Sequence, residues 1–218
     1  MQKIGFIFDL DGVIVDTAKY HYKAWKNLAN QLGFEFTKEQ NELFKGVSRK
    51  RSLEILLELG NVKATQEQFN LWMADKNKDY LAYIEKMDTS EILPDVTKVL
   101  DFLKSNSVPI SLGSASKNAR PILEKVHLIS YFNVIVDGNS VSKAKPDPEV
   151  FLVAANKLNV LPENCIVFED AVAGIKAANA ANMLSIGIGD KKVLNEADYV
   201  FNDFTEISID FLKKIAKI

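Results

Sequence analysis

Ile4 to Phe8 is a short, near-continuous apolar run that stops abruptly at Asp9, Leu10, Asp11 and Gly12. A run of this kind suits a strand buried on both faces. Similar runs recur at Ile110 to Leu112, Val134 to Val136, Cys165 to Phe168 and Leu184 to Ile188. Between the later runs the apolar spacing becomes helical. After Pro94, residues Val96, Val99, Leu100 and Leu103 share one helical face. Asp147 then Pro148 reads as an N-cap and first helical residue ahead of Phe151, Leu152, Ala155 and Leu158. Strands alternating with helices predict a parallel sheet.

The stretch from Asp16 to Ile92 breaks this alternation. It has no convincing strand and carries repeated helix-start signals: Thr37 with Gln40 and Thr65 with Gln68 fit the capping box, and Ser48 can cap a helix bearing Leu53, Leu56 and Leu57. Gly33 and Gly60 stand where helices would stop. The expected fold is therefore α/β: a Rossmann-like parallel-sheet core, residues 1–15 and 93–218, with an inserted α-helical cap, residues 16–92. The flanks around Asp16 and Ile92 to Pro94 would form the hinge.

Charge excludes several partners. Lys and Arg total 27 against 29 Asp and Glu, so no net field draws nucleic acid or an anionic membrane over long range. No apolar stretch reaches the roughly 18 residues of a membrane span, and the lone Cys165 reads as a buried thiol in an apolar run. These features predict a cytoplasmic protein, and the lack of an identifiable exposed apolar stripe predicts a monomer.

Ligands of open parallel sheets gather outside the carboxyl ends of the strands. Here those ends carry Asp9, Asp11 and Gly12, then Ser114, Ala115 and Ser116, then Lys143 and Lys145, then Glu169 and Asp170. Carboxylates crowded in one cleft repel one another unless a cation sits among them, and oxygen ligands without His or Cys point to a hard ion such as Mg²⁺. A carboxylate is also a competent nucleophile toward phosphorus if the transferring oxygens are neutralised. Asp9, rigid at the strand end, suits that attack. Asp11, beyond which Gly12 lets the chain turn, suits a general acid and base. Ser114 can donate to the phosphoryl group and Lys145 can bridge it to Asp9.

FDLDGVIVDT, SLGSAS, KAKPDPEVF and FEDAVAGIKAANAAN resemble, in order and across the chain, the four motifs of the haloacid dehalogenase superfamily. The resemblance implies Asp9 as nucleophile and Asp11 as acid/base. It implies Mg²⁺ bound by Asp9, the carbonyl of Asp11 and Asp170, with Glu169 in or beside the shell, and Ala115 with Ser114 and Lys145 around the phosphoryl group. Asp at position 11 favours phosphoryl transfer over dehalogenation. Ala171 departs from the Ser that many members carry, which bears on a supporting hydrogen bond and not on the metal ligands.

The insertion holds the substrate information. In KGVSR, Lys45 to Arg49, a flexible Gly46 and a guanidinium flank a helix start, and both can grip a phosphate. Phe69, Trp72, Met73, Tyr80 and Ile84 form an apolar helical stripe that includes Lys76, and an inward lysine predicts an anionic partner. His21, four residues before Trp25, has a partly apolar setting. Thr17, His21 and Trp25, KGVSR with Ser52, Lys76 with Asn77, and SASKN at Ser114 to Asn118 together resemble the β-phosphoglucomutase family. That family implies interconversion of β-D-glucose 1-phosphate and 6-phosphate through glucose 1,6-bisphosphate. Arg49, Ser116, Lys117 and Asn118 would hold the non-reacting phosphate, and Gly46 and Val47 would line the sugar site with His21, Ser52 and Lys76. A sugar-phosphate phosphatase of the same superfamily is the alternative. A receiver-type signalling module predicts a shorter chain and an acidic pair ahead of the phosphorylated Asp; a dinucleotide-binding module needs a third glycine where Lys192 stands.

Overall fold

The computed structural model describes residues 3–218. Six parallel strands are ordered β3-β2-β1-β4-β5-β6: β1 Gly5–Phe8, β2 Ile110–Gly113, β3 Val134–Val136, β4 Cys165–Glu169, β5 Leu184–Ile188 and β6 Tyr199–Phe201. The first five coincide with the apolar runs, within a residue at their ends. The first strand is central, with Phe8 opposite Leu112 on one side and Phe168 on the other. The chain order reverses across β1, so its carboxyl end opens into the crevice where ligands of such sheets bind.

Alternation along the first strand explains why it is apolar throughout. Phe6 and Phe8 join one core cluster with Val99, Leu100, Ile122 and Leu212, while Ile7 joins the opposite cluster with Phe151, Ala154 and Ala178. Helices α5 (Val96–Ser105), α6 (Ala119–Lys125) and α9 (Ile209–Ala216) cover the first face, and α7 (Glu149–Leu158) and α8 (Val172–Ala180) the second. The Phe8 and Phe168 rings stack at 4.8 Å, beneath the site. Burying each such ring contributes about 1.5–3 kcal/mol, which anchors the residues that follow.

Between β1 and β2 every regular element is helical: α1 (Ala18–Gln31), α2 (Lys38–Asn41), α3 (Arg49–Leu59) and α4 (Gln66–Ile84), plus short 3-10 turns. Both expected capping boxes form, at Thr37 with Gln40 and at Thr65 with Gln68, and Ser48 accepts from Arg51 N–H. A separate apolar cluster of Trp25, Leu28, Phe36, Phe44, Leu53 and Leu56 holds these helices together. Two strands of chain lead in and out, tied by Asp16 N–H to the Glu91 carbonyl at 2.9 Å and Leu93 N–H to the Ile14 carbonyl at 3.0 Å. We propose on this basis that residues 16–92 act as one cap moving on that pair of linkers.

Two helix ends differ from the sequence expectation. Helix α7 begins at Glu149, one residue late, because Pro148 occupies the N-cap; Asp147 still caps, its carboxylate accepting from Glu149 N–H at 3.0 Å. After α3, Gly60 keeps a right-handed conformation and Asn61 takes the left-handed turn at φ 50°.

Candidate active site

The carboxyl ends of β1, β2 and β4 bring together Asp9, Ser114, Glu169 and, from the loop before α7, Lys145, all buried. Lys145 Nζ donates to Asp9 Oδ1 at 2.5 Å and to Glu169 Oε1 at 2.8 Å. The other Glu169 oxygen accepts from the Asp170 and Ala171 N–H groups at 2.6 and 3.0 Å. Glu169 is thus fully engaged by the protein, fixing both the lysine and the turn that presents Asp170. Ser114 Oγ accepts from Ser116 N–H at 3.1 Å, which shapes the loop and leaves its own proton free for a ligand.

One ammonium does not neutralise three acids. Asp9, Glu169 and Asp170 each offer an oxygen within 4.8 Å of the others. Burial pushes the Asp9 carboxyl up to about 7 against the pull of Lys145, with Glu169 and Asp11 adding to the rise. Burial, then Glu169 and Asp9, drive Asp170 well above the usual carboxylate range. A cluster that resists ionisation when alone and offers only oxygen donors fits a hard divalent cation. Gly12 is part of the fit: its φ is +82°, and a Cβ there would collide with the Asp170 carboxylate. Only glycine lets the first loop lie against this acid.

Asp11 faces the insertion. Thr17, fully buried at the start of α1, donates its hydroxyl to Asp11 Oδ1, so this helix lacks the usual side-chain cap. His21 Nε2 stands 3.7 Å from the same oxygen, too far for a hydrogen bond but close electrostatically. Lys76 Nζ lies 2.9 Å from His21 Nδ1; when the ammonium donates to it, a neutral imidazole carries its proton on Nε2, toward Asp11. Burial would raise the Asp11 carboxyl, but His21, Thr17 and Lys76 outweigh it and hold the group below its ordinary value.

Lys76 forms no salt bridge with a carboxylate among the described residues; Asp11 acts on it only through space. Its neighbours are His21 and the faces of Trp25 and Tyr80, 4.6 and 4.7 Å from the ring centroids. Its methylenes account for the apolar stripe and its cation rests on rings in place of a carboxylate. Burial, then Arg49, depress its pKa from 10.5 to about 7, with Asp11 pulling the other way. Between those values the unfolded chain holds a proton that the folded chain lacks, so this site's contribution to stability rises with pH from about 7 to 10.5. Lys76→Met is therefore expected to stabilise the protein more at pH 6 than at pH 9, the two gains differing by on the order of 2 kcal/mol. Denaturant midpoints at the two pH values check this; equal gains would contradict it.

The two groups of residues share one cleft of about 360 Å³, lined by Asp9, Asp11, His21, Gly46, Val47, Arg49, Ser52, Lys76, Ser114 to Asn118, Lys145 and Asp170. Every residue expected to act in catalysis, metal binding or substrate binding, except Glu169, lines it, and Glu169 lies directly behind, bonded to Lys145. Gly46, at φ +71°, packs over Ala171: an added Cβ would stand 2.8 Å from the Ala171 Cβ. The small Ala171 thus seats the KGVSR loop. Across the same boundary Asn118 Nδ2 donates to Asn77 Oδ1 at 3.0 Å. Sequence reasoning left the hydroxyl of Thr17 without a task and counted Tyr80 as core, although Tyr80, four residues after Lys76, stacks on His21 at 4.1 Å.

A parallel sheet with acids at its switch point beneath a helical insertion defines a class, and the chain belongs to it: residues 5–182 match the family described as haloacid dehalogenase-like hydrolase. The chain is 41% identical over 208 residues to the beta-phosphoglucomutase of Bacillus subtilis (strain 168), covering 94% of this chain and 92% of that protein. It superposes on the crystal structure of beta-phosphoglucomutase from Clostridium difficile with a TM-score of 0.94 at 40% identity, covering 99% and 98% of the two chains. A phosphorylated carbohydrates phosphatase of Thermotoga maritima is 32% identical over 216 residues, 96% of this chain and 98% of that one. Within the superfamily, the chain belongs to the β-phosphoglucomutase family.

Proposed function

We propose that the chain interconverts β-D-glucose 1-phosphate and β-D-glucose 6-phosphate through an aspartyl phosphate and glucose 1,6-bisphosphate. The observation that carries this reading is the single cleft in which Asp9 and Lys145 of the core share space with Arg49 from the insertion and Ser116, Lys117 and Asn118. One substrate can be held by a reacting and a non-reacting phosphate at once.

The oxygen of Asp9 not held by Lys145 bonds to phosphorus as the phosphorus–sugar oxygen bond breaks. Asp11 protonates the departing sugar oxygen, and in the reverse transfer takes the proton from the attacking hydroxyl. A phosphorylated Asp9 thus converts glucose 1-phosphate to the bisphosphate, which turns over, and Asp9 then takes the phosphoryl from the 1-position. Lys145 and the Ser114 hydroxyl stabilise the charge of the transferring oxygens throughout. Mg²⁺ is the cation we assign to Asp9, the Asp11 carbonyl and Asp170, with Glu169 behind them; when bound it neutralises the phosphoryl oxygens.

Water must be kept out for the sugar to receive the group, and Arg49 reaches the core residues only with the cap closed. The relay from Lys76 through His21 to Asp11 links that closure to the acid/base, since Lys76 and His21 belong to the insertion. A monomer suffices, because the cleft is built from one chain. The buried free thiol of Cys165 suits the cytoplasm.

Incubation with Mg²⁺, β-glucose 1-phosphate and a trace of bisphosphate tests the reading. Glucose 6-phosphate is expected as the main product; free phosphate without it would favour the phosphatase alternative, a reaction named for relatives such as the Thermotoga protein.

A further inference from the structure

Thr17 and His21, at the start of α1, bear on Asp11, and the same turn is held by a second carboxylate that has no task in the chemistry above. Thr17 gives its hydroxyl to Asp11, so the turn lacks a side-chain cap of its own. Lys19 and Tyr20, between them in sequence, meet Glu91 from the chain leaving the insertion. The Tyr20 hydroxyl donates to one Glu91 carboxylate oxygen, and Lys19 Nζ lies 2.5 Å from the other. The Glu91 carbonyl accepts from Asp16 N–H at 2.9 Å, so its main chain and side chain both grip the entry to α1. Tyr20 N–H and His21 N–H donate to the Thr17 carbonyl at 2.9 and 3.1 Å, which makes the turn one unit.

The Glu91 side chain is only 11% exposed, against 43% for Lys19. Withdrawing a carboxylate from water is costly unless its oxygens are engaged, and a linker needs no charge to bend. The neighbourhood supplies a reason for the charge. Val15 bridges to Asp11 on one side and to Ile92 on the other, so the entering chain, the returning chain and the loop of Asp11 lie side by side. Glu91 thus ties the first turn of α1 to the ribbon that carries Asp11. Resting on the role of Asp11 as acid and base in the reading above, we propose that Glu91 is a positioning residue: by holding Lys19 and Tyr20 it sets this turn so that Thr17 and His21 keep the Asp11 carboxyl in place for proton transfer to and from the sugar oxygen. A displacement of about an ångström, even from a change far from the reacting atoms, is enough to slow such a step.

The experiment uses two phosphoryl donors that differ in their need for a proton. When Asp9 is charged from glucose 1,6-bisphosphate, the bond from Asp9 oxygen to phosphorus forms, the phosphorus–sugar oxygen bond breaks, and the sugar oxygen takes a proton from Asp11. When it is charged from acetyl phosphate the same bond forms, and acetate leaves as an anion that needs no proton. Labelling of wild type and Glu91→Ala is followed in time with each radiolabelled donor and Mg²⁺ over a range of concentrations. The saturating rate from the sugar bisphosphate is expected to fall roughly tenfold in the variant, with half-saturation and the acetyl phosphate rate each changed by less than about twofold. Tyr20→Phe, which keeps the ring stacked on Tyr83 at 5.7 Å and loses only the hydroxyl, should show the same selectivity with a smaller loss. A merely supporting contact would slow both donors alike. Equal losses with the two donors, or no loss with the sugar bisphosphate, overturns the proposal. Should Glu91→Ala fold poorly, Glu91→Gln, which keeps an acceptor for Tyr20 but no charge for Lys19, is read by the same ratio. Label that passes on to inorganic phosphate without reaching a sugar would overturn the mutase reading, while the ratio of the two labelling rates still decides the role of Glu91.

Discussion

Asp9→Asn is expected to lower kcat by roughly five orders of magnitude while the protein stays folded, the scale seen when a covalent nucleophile is removed from a preorganised site. The amide keeps an oxygen in place for Lys145, and Glu169 remains as that lysine's charged partner at 2.8 Å. Packing is unaffected, because the ring stack of Phe8 on Phe168 beneath does not involve the carboxylate. The variant should still bind sugar phosphates but form no hydroxylamine-sensitive phosphoenzyme. Retention of substantial turnover, measured as glucose 6-phosphate formed per second, would remove Asp9 from the chemistry.

Lys145→Met is the second large effect, and its size comes from what it strands. The ammonium is 1% exposed and is shared by the Asp9 and Glu169 side chains, 9% and 0% exposed. Removing one partner of such a buried group typically costs about 3–5 kcal/mol, since the remaining charges are unpaired. Met itself packs well against the Phe151 ring, which the lysine now covers at 4.8 Å, so the loss is electrostatic. Because a cation can then take over the neutralisation, added Mg²⁺ should recover more stability in the variant than in wild type. Denaturant unfolding with chelator and with Mg²⁺ measures both. An equal Mg²⁺ response in the two proteins would contradict the shared acidic cluster. Turnover should also fall by roughly two to three orders of magnitude, as when a donor to the transition-state charge is lost.

How much of this could be read from the chain depends on how local each signal is. Gly5–Phe8, Ile110–Gly113 and Cys165–Glu169 were legible because both faces of each strand are buried, leaving an unbroken apolar run with polar residues directly after it. The strand Tyr199–Phe201 was not: it is three residues long at the sheet edge, half-exposed, and has neither a run nor an alternation long enough to register. The capping boxes at Thr37 and Thr65 are contained within four residues and formed as expected. What lay beyond the sequence was the pairing of distant side chains. Lys76 was visible as a cation in an apolar stripe, but its meeting with His21, 55 positions away, depends on how α1 packs on α4. Ala171 was conspicuous as a departure; its Cβ lies beneath Gly46, which accounts for the glycine, and nothing in the structure explains the Ala itself.

The central claim is that a phosphoryl group on Asp9 passes to a sugar hydroxyl in preference to water. The direct measurement is a chase: the enzyme is charged at Asp9 with a radiolabelled phosphoryl group from glucose 1,6-bisphosphate, freed of excess donor, and mixed with β-glucose 1-phosphate in the presence of Mg²⁺. The account predicts that the label leaves the protein far faster than in buffer alone and is recovered in the sugar bisphosphate and glucose 6-phosphate. Label recovered as inorganic phosphate, at the same rate with or without the sugar, would contradict it.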